Sequence, residues 1–120
     1  MRLKPETQEM IMIFDWIRLQ PALRDCAFHI PNEGKRSYIM GHIMKRSGLR
    51  AGVADIFIAK ACKGYHGLWI ELKAMNKTGK FGKPTDLQLD FLHDMEQEGY
   101  LALVAYGGND AIDKIKQYLG

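Results

Sequence analysis

Two short apolar segments constrain this chain most, because each contains ionisable residues where a buried strand should have none. Residues 51–59 read AGVADIFIA and place Asp55 among aliphatic and aromatic neighbours. Residues 68–73 read LWIELK and contain both Glu71 and Lys73. A buried charge is costly unless it is paired or bound to a metal. The two segments therefore predict neighbouring strands that carry a functional site.

The connection between these strands favours an antiparallel hairpin. It runs from Lys60 to Gly67, eight residues that include two glycines, which is short enough for an antiparallel hairpin. Side chains alternate along a strand, so Glu71 and Lys73 lie on one face of it. In a hairpin, Asp55 comes within metal-bridging distance of Glu71.

Two carboxylates and a backbone carbonyl form a hard oxygen site, which suits Mg²⁺ or Mn²⁺. Such a metal lowers the pKa of its bound water and offsets charge at a phosphorus atom. Lys73 can orient or deprotonate the attacking water, or stabilise charge on the phosphate. This chemistry requires no nucleophile from the protein.

The remaining segments alternate between helices and strands. Apolar periodicity and turn residues predict helices over 7–19, 38–46, 85–98 and 110–119 and strands over 27–30 and 100–106. Thr85 is the expected N-cap of the third helix and Asn109 that of the fourth, and residues 77–83 are expected to form a mobile Gly/Lys loop. With 120 residues, the order α-β-α-β-β-α-β-α predicts one domain, residues 1–120, with a mixed β-sheet flanked by helices.

Positive charge is concentrated on either side of the acidic strands. The net charge is only +3, but nine of the 17 Lys and Arg residues lie in two blocks, and residues 34–54 contain no acid. This arrangement suits a polyanion held over a metal, although a solvated basic face would have the same pattern. The residues concerned are Lys35, Arg36, Lys45, Arg46 and Arg50 in the first block and Lys73, Lys77, Lys80 and Lys83 in the second.

Other features limit the class of protein. No stretch of 18 apolar residues could span a membrane, and residues 1–6 lack the apolar core of a signal peptide. Cys26 and Cys62 lie outside any CxxC motif, which predicts reduced thiols and a cytoplasmic location. The four histidines have no ligand spacing, so each is expected to be structural or exposed. In the second helix Met40, Ile43 and Met44 are expected to join the core, the alternative being a dimer surface.

The chain resembles the virus-type replication-repair nuclease (VRR-NUC) branch of the PD-(D/E)xK nuclease superfamily. The resemblance covers nearly the whole chain. Asp-x₁₅-Glu-x-Lys alone is a loose motif, and the surrounding residues make it more specific. One departure is Ala54, where the family usually has proline before the aspartate. The matching residues are Pro31-Asn32-Glu33-Gly34-Lys35-Arg36, Gly52-Val53-Ala54-Asp55, Gly67-Leu68-Trp69-Ile70-Glu71-Leu72-Lys73, Gln88 and Gly99-Tyr100.

The resemblance implies a role for each matching position. Asp55 and Glu71 would be metal ligands together with the backbone carbonyl of Leu72, Lys73 would be the catalytic lysine, and Gln88 would organise the site or the phosphate. An acid on the first helix often joins this site in the family, and Glu6 and Glu9 are both candidates here. Glu33 is a third candidate acid, with a solvent-facing turn as its simpler interpretation.

Gln88 also has a purely structural interpretation, because Thr85-x-x-Gln88 is a capping-box pattern. The two roles are compatible, since a capping side chain can also contact the site.

The resemblance further implies a metal-dependent DNA endonuclease for branched, flap, nicked or four-way-junction DNA in replication, repair or recombination. A homodimer is expected because two copies would place two sites on a symmetric substrate, and a stand-alone domain implies a phage or viral origin in a bacterial host cell. One alternative is a non-catalytic nucleic-acid-binding module with the nuclease fold. Another is a structural or interaction protein with a salt-bridged sheet face.

Overall fold

The computed structural model describes residues 2–31 and 37–120, and these form four helices and four strands in the predicted order. Pro5 occupies the first turn of α1, where its missing N–H costs nothing. The elements are α1 (Pro5–Arg18), β1 (Ala27–His29), α2 (Tyr38–Arg46), β2 (Ile56–Ile58), β3 (Leu68–Lys73), α3 (Asp86–Gln97), β4 (Leu101–Tyr106) and α4 (Gly108–Leu119).

The strands form one mixed sheet in the order β1-β2-β3-β4. β1 pairs with β2 and β2 with β3 in antiparallel fashion, which confirms the predicted hairpin. β3 and β4 are parallel, and α3 makes the crossover between them. A parallel pair needs such a crossover, and the helix also covers one face of the sheet.

The alternation along β3 separates the two faces of the sheet. Leu68, Ile70 and Leu72 enter the main core, where they pack with residues of α1 and α4. On the opposite face a smaller cluster under α3 contains Leu92, with Trp69 packed against it. Glu71 and Lys73 therefore share one face, as the sequence predicts, and this face is the one under α3.

The second helix differs from its sequence-based prediction. The expectation that Met40, Ile43 and Met44 enter the core is wrong, because α2 contains no buried residue. Tyr38 and Ile39 are among its most exposed side chains, at 82% and 71%. The apolar periodicity correctly predicts a helix, but its apolar face lacks a partner within the described part of this chain.

One local prediction also changes. α4 begins at Gly108 with Gly107 as its N-cap, so Asn109 is the second residue of the helix and not its cap. The mobility of residues 77–83 stays a prediction, and within this loop residues 76–80 lie in a hydrogen-bonded turn. There the Asn76 side-chain oxygen accepts hydrogen bonds from the Thr78 and Lys80 N–H groups at 2.9 and 3.0 Å. No helix of the described residues is long and apolar enough to cross a membrane.

Candidate active site

Asp55 lies directly before β2, at the point where the pairing of β2 with β3 ends. The last pair is Ile56 with Ile70, and beyond it the Asp55 carboxylate takes the position of a backbone acceptor. Its Oδ2 accepts a hydrogen bond from the Leu72 N–H at 2.8 Å. The side chain is only 4% exposed, so this bond fixes the carboxylate beside the end of β3.

Glu71 has the most strongly shifted pKa of the site. It is 2% exposed, and its Oε1 has no hydrogen-bond partner among the described residues. Burial raises its pKa to about 9, aided by the adjacent Asp55 carboxyl and the charge of Glu6, while the charge of Lys73 opposes the shift. A buried carboxylate beside a second one and with a vacant oxygen is an environment that favours a cation.

Lys73 and Gln88 complete the site from two elements. Lys73 Nζ donates to Gln88 Oε1 at 2.9 Å and lies 3.8 Å from Glu71 Oε2. Gln88 Nε2 also contacts Glu71 Oε2 at 3.4 Å. The same glutamine closes a capping box with Thr85 at the start of α3, so the two interpretations of Gln88 coexist in one side chain.

The two candidate acids of α1, Glu6 and Glu9, have different surroundings in the structure. Glu9 Oε2 accepts a hydrogen bond from the Gly108 N–H at 2.7 Å, at the start of α4. Glu6 contributes to the raised pKa of Glu71 and lines a cleft with Asp55. Glu6 is therefore the α1 acid on the site side, and Glu33 lies outside the described residues.

The cleft beside Asp55 contains a residue that the sequence did not single out. The volume of the cleft is about 300 Å³, and His29 lines the cleft together with Glu6 and Asp55. In the sequence, His29 has no other ligand residue at metal-binding spacing. The pairing of β1 with β2 brings it to this cleft.

The backbone of β3 has an orientation that matters for metal binding. In an extended strand the N–H and C=O of one residue point to the same edge. The Leu72 N–H points to Asp55, whereas the next carbonyl, that of Lys73, accepts from Gly107 N on the β4 side at 2.8 Å. The Leu72 carbonyl is therefore directed to the edge where Asp55 lies.

These groups fit a Mg²⁺ or Mn²⁺ ion with several retained waters. Such ions are often held by one or two carboxylates, with water completing the octahedron. Asp55 and Glu71 would supply the carboxylates, and Glu71 Oε1, which has no partner among the described residues, has an acceptor lone pair available. No three His, Cys, Asp or Glu side chains converge on one point within residues 2–31 and 37–120, so among these residues the Leu72 carbonyl is the candidate for a further ligand.

The basic residues of the two blocks lie on the surface where they are described. Lys45 and Arg46 end α2, Arg50 follows it, and Lys77, Lys80 and Lys83 lie on the turn after β3; all are exposed. Lys35 and Arg36 lie outside the described residues.

One solved structure supports the resemblance drawn from the sequence. It is described as a VRR_NUC domain protein, and it matches this chain with a TM-score of 0.81 and 29% sequence identity. The match covers 98% of this chain and 90% of the other. No family model matches the sequence, and neither does any curated protein. This match confirms the resemblance to VRR-NUC domains that the sequence predicts, and the mixed sheet with flanking helices is the fold that the two proteins share.

Proposed function

We propose that this chain is a Mg²⁺- or Mn²⁺-dependent endonuclease that hydrolyses phosphodiester bonds of DNA. The observation that carries the proposal is the pair of buried carboxylates, Asp55 and Glu71, with Lys73 held beside them by Gln88. A VRR_NUC domain protein with the same fold supports nuclease chemistry in general.

In the proposed site Asp55, Glu71 and the Leu72 carbonyl hold the metal, with Glu6 acting on the charge of the site from α1. The bound ion would lower the pKa of a water and offset phosphate charge. Water attacks the phosphorus and gives up a proton to solvent, the P–O bond to the deoxyribose oxygen breaks, and that leaving oxygen takes up a proton from solvent. Lys73 orients the water or stabilises the phosphate charge, and Gln88 fixes the position of its ammonium group.

The exposed basic residues on α2 and on the turn after β3 support binding through the DNA backbone. Phosphate contacts position a protein on DNA without reading its sequence. We therefore propose a preference for DNA shape, with branched, flap, nicked and four-way-junction DNA as candidate substrates.

We further propose that two copies pair through the apolar side of α2. Ile39 and Ile43 are 71% and 53% exposed there, and two paired copies could address two strands of a symmetric substrate. Light scattering of wild type and of Ile39→Glu tests this: a dimer that becomes a monomer in the variant supports the pairing, and a monomeric wild type excludes it.

The catalytic proposal is tested with labelled DNA substrates of each shape in Mg²⁺, Mn²⁺ and EDTA. Wild type should cut only with a metal, and Lys73→Ala should lose at least tenfold to a thousandfold in rate, on the order of 1.4–4 kcal/mol. Lys116→Ala is the matched control, because Lys116 lies on α4 over the Trp16 ring. Full activity of Lys73→Ala would exclude the mechanism. DNA binding without cutting by clean wild-type protein would instead favour a non-catalytic binding module.

A further inference from the structure

An exposed aromatic pair lies beside the candidate site, at the ends of β4 and of the turn after β3. Phe81 and Tyr106 contact edge to face, with ring centroids 5.7 Å apart and an interplanar angle of 76°. They are 38% and 43% exposed. Large aromatic rings that pack on each other and still face solvent offer an apolar surface to a planar ligand.

The position of this pair is set by the sheet. Tyr106 is the register partner of Lys73 in the parallel pairing of β3 with β4. Partner residues of adjacent strands project to the same face, so the Tyr106 ring lies on the Lys73 side of the sheet. Gly82, next to Phe81, approaches the Lys73 side chain closely enough that an added Cβ would lie 3.9 Å from its Cδ.

The turn that carries Phe81 is held in place by hydrogen bonds. Met75 and Phe81 form an antiparallel bridge, and between them Asn76 N donates to Lys80 O at 2.7 Å. At the other ring, Asp110 Oδ2 accepts from the Tyr106 N–H at 2.9 Å and from Lys114 Nζ at 2.7 Å. These bonds hold the backbone at both rings in place beside Lys73.

The charges around the pair match a nucleic acid. Lys77, Lys80 and Lys83 lie exposed on the same turn. Asp110, an acid that contacts the Tyr106 backbone, is paired with Lys114 at 2.7 Å. An aromatic surface within a cationic environment is the arrangement that binds single-stranded nucleic acid, in which bases stack on rings while lysines hold phosphates.

We propose that Phe81 and Tyr106 form a stacking platform for an unpaired nucleobase next to the scissile phosphate. This inference rests on the proposed function and extends it, because it names the feature of branched DNA that the protein recognises. A continuous duplex keeps its bases stacked on each other, whereas a flap or a fork junction has a base free to stack on the protein. The platform thus favours DNA with unpaired nucleotides over intact duplex.

The test measures binding without cleavage, so that its result does not depend on catalysis. Fluorescence anisotropy in EDTA gives the Kd of the full chain for a flap substrate and for a continuous duplex of the same length. The variants are Phe81→Leu, which keeps an apolar side chain but cannot stack, and Phe81→Trp, which restores a ring. Phe28→Ala is the control, because Phe28 is 51% exposed on β1, at the opposite edge of the sheet.

Phe81→Leu should weaken flap binding by about fivefold to a hundredfold, as expected for the loss of one base–aromatic stack, and leave duplex binding unchanged. Phe81→Trp and Phe28→Ala should keep the wild-type ratio of the two Kd values. A 2-aminopurine placed in the flap next to the junction should be quenched by wild type and not by Phe81→Leu. An unchanged Kd ratio in Phe81→Leu, or equal binding of flap and duplex by wild type, would overturn the platform. Failure of the nuclease proposal would appear separately, as absent cleavage with this binding preference intact.

Discussion

Gln88 connects the first turn of α3 to the ammonium group of Lys73. Its Oε1 accepts hydrogen bonds from Lys73 Nζ and from the Thr85 N–H, each at 2.9 Å. One side chain thus stabilises the helix start and positions the proposed catalytic lysine, so helix stability and lysine geometry depend on the same atom.

Substitution of the two capping partners should separate these roles. Thr85→Ala removes the cap and should cost about 0.5–2 kcal/mol of stability while leaving the cleavage rate within about twofold. Gln88→Ala loses the cap and also releases Lys73, so its rate should fall about tenfold to a hundredfold. Thermal unfolding and single-turnover cleavage measure the two effects. Equal rates in both variants would show that Gln88 acts only as a cap.

The raised pKa of Glu71 predicts a stability cost for the metal-free protein. The pKa is about 9 in the fold against 4.5 for the free group, so the folded state binds this proton more tightly than the unfolded state. Stability is then lost as the pH rises from about 4.5 to about 9. In EDTA, Glu71→Gln should unfold at a higher temperature than wild type at pH 8.5 and at a similar temperature near pH 4.5.

Mn²⁺ should reverse the order of the two unfolding temperatures, those of wild type and of Glu71→Gln. Mn²⁺ at pH 8.5 should raise the Tm of wild type, because a ligand that binds only the folded state stabilises it. It should leave Glu71→Gln unchanged. A wild-type Tm in EDTA that depends on pH no more than that of Glu71→Gln would contradict the assigned pKa.

The sequence predicted the element order and the closeness of Asp55 to Glu71 because both depend on local information. Alternation along a strand places Glu71 and Lys73 on one face, and an eight-residue connection leaves a hairpin as the favoured arrangement. The capping box of α3 is likewise a pattern within four residues. These features need no knowledge of the partners across the core.

Features that depend on packing between distant elements could not be predicted. Glu6 and Glu9 lie one turn apart on α1, and only the placement of α4 sends Glu9 to Gly108. Apolar periodicity predicts the helix α2, but it does not indicate which surface covers its apolar face. The N-cap of α4 is Gly107 and not the predicted Asn109. Gly107 has a φ of +88°, a backbone state that glycine adopts readily.

The division of roles between the two acids of α1 is testable. Glu6→Gln should raise the Mn²⁺ concentration for half-maximal cleavage by about tenfold, a usual effect for a group that acts on a metal site. Glu9→Gln should leave that concentration unchanged and reduce stability by about 0.5–1.5 kcal/mol, because it weakens the bond to Gly108. Titration of the cleavage rate with Mn²⁺, paired with urea unfolding, measures both. A larger metal effect in Glu9→Gln would reverse the assignment.

The lysines of the turn after β3 should contribute equally to the binding of every DNA shape. Lys80→Ala removes one phosphate contact, so the slope of log K against log salt should decrease by about 0.7–0.9. The ratio of flap to duplex affinity should stay constant, in contrast to Phe81→Leu. Lys116→Ala on α4 is the control and should leave the slope unchanged. An unchanged slope in Lys80→Ala would place the DNA elsewhere on the surface.

Gly52 links the loop before β2 to the start of α3. Its φ is +89°, and an added Cβ would lie 2.7 Å from the Leu87 carbonyl oxygen, one residue before Gln88. Gly52→Ala should therefore displace the first turn of α3 and with it the side chain that holds Lys73. Gly48 is a matched control, because its φ is +110° but its added Cβ would meet no atom of the described residues within 4 Å.

Both glycine variants should lose about 1 kcal/mol or more from the strained backbone. Only Gly52→Ala should also lose cleavage, by at least about tenfold, because a shift of the first turn moves Gln88 away from Lys73. Cleavage rates measured at a temperature where both variants are fully folded separate geometry from stability. A Gly52→Ala protein as active as Gly48→Ala would show that the approach of α3 to this loop does not position the site.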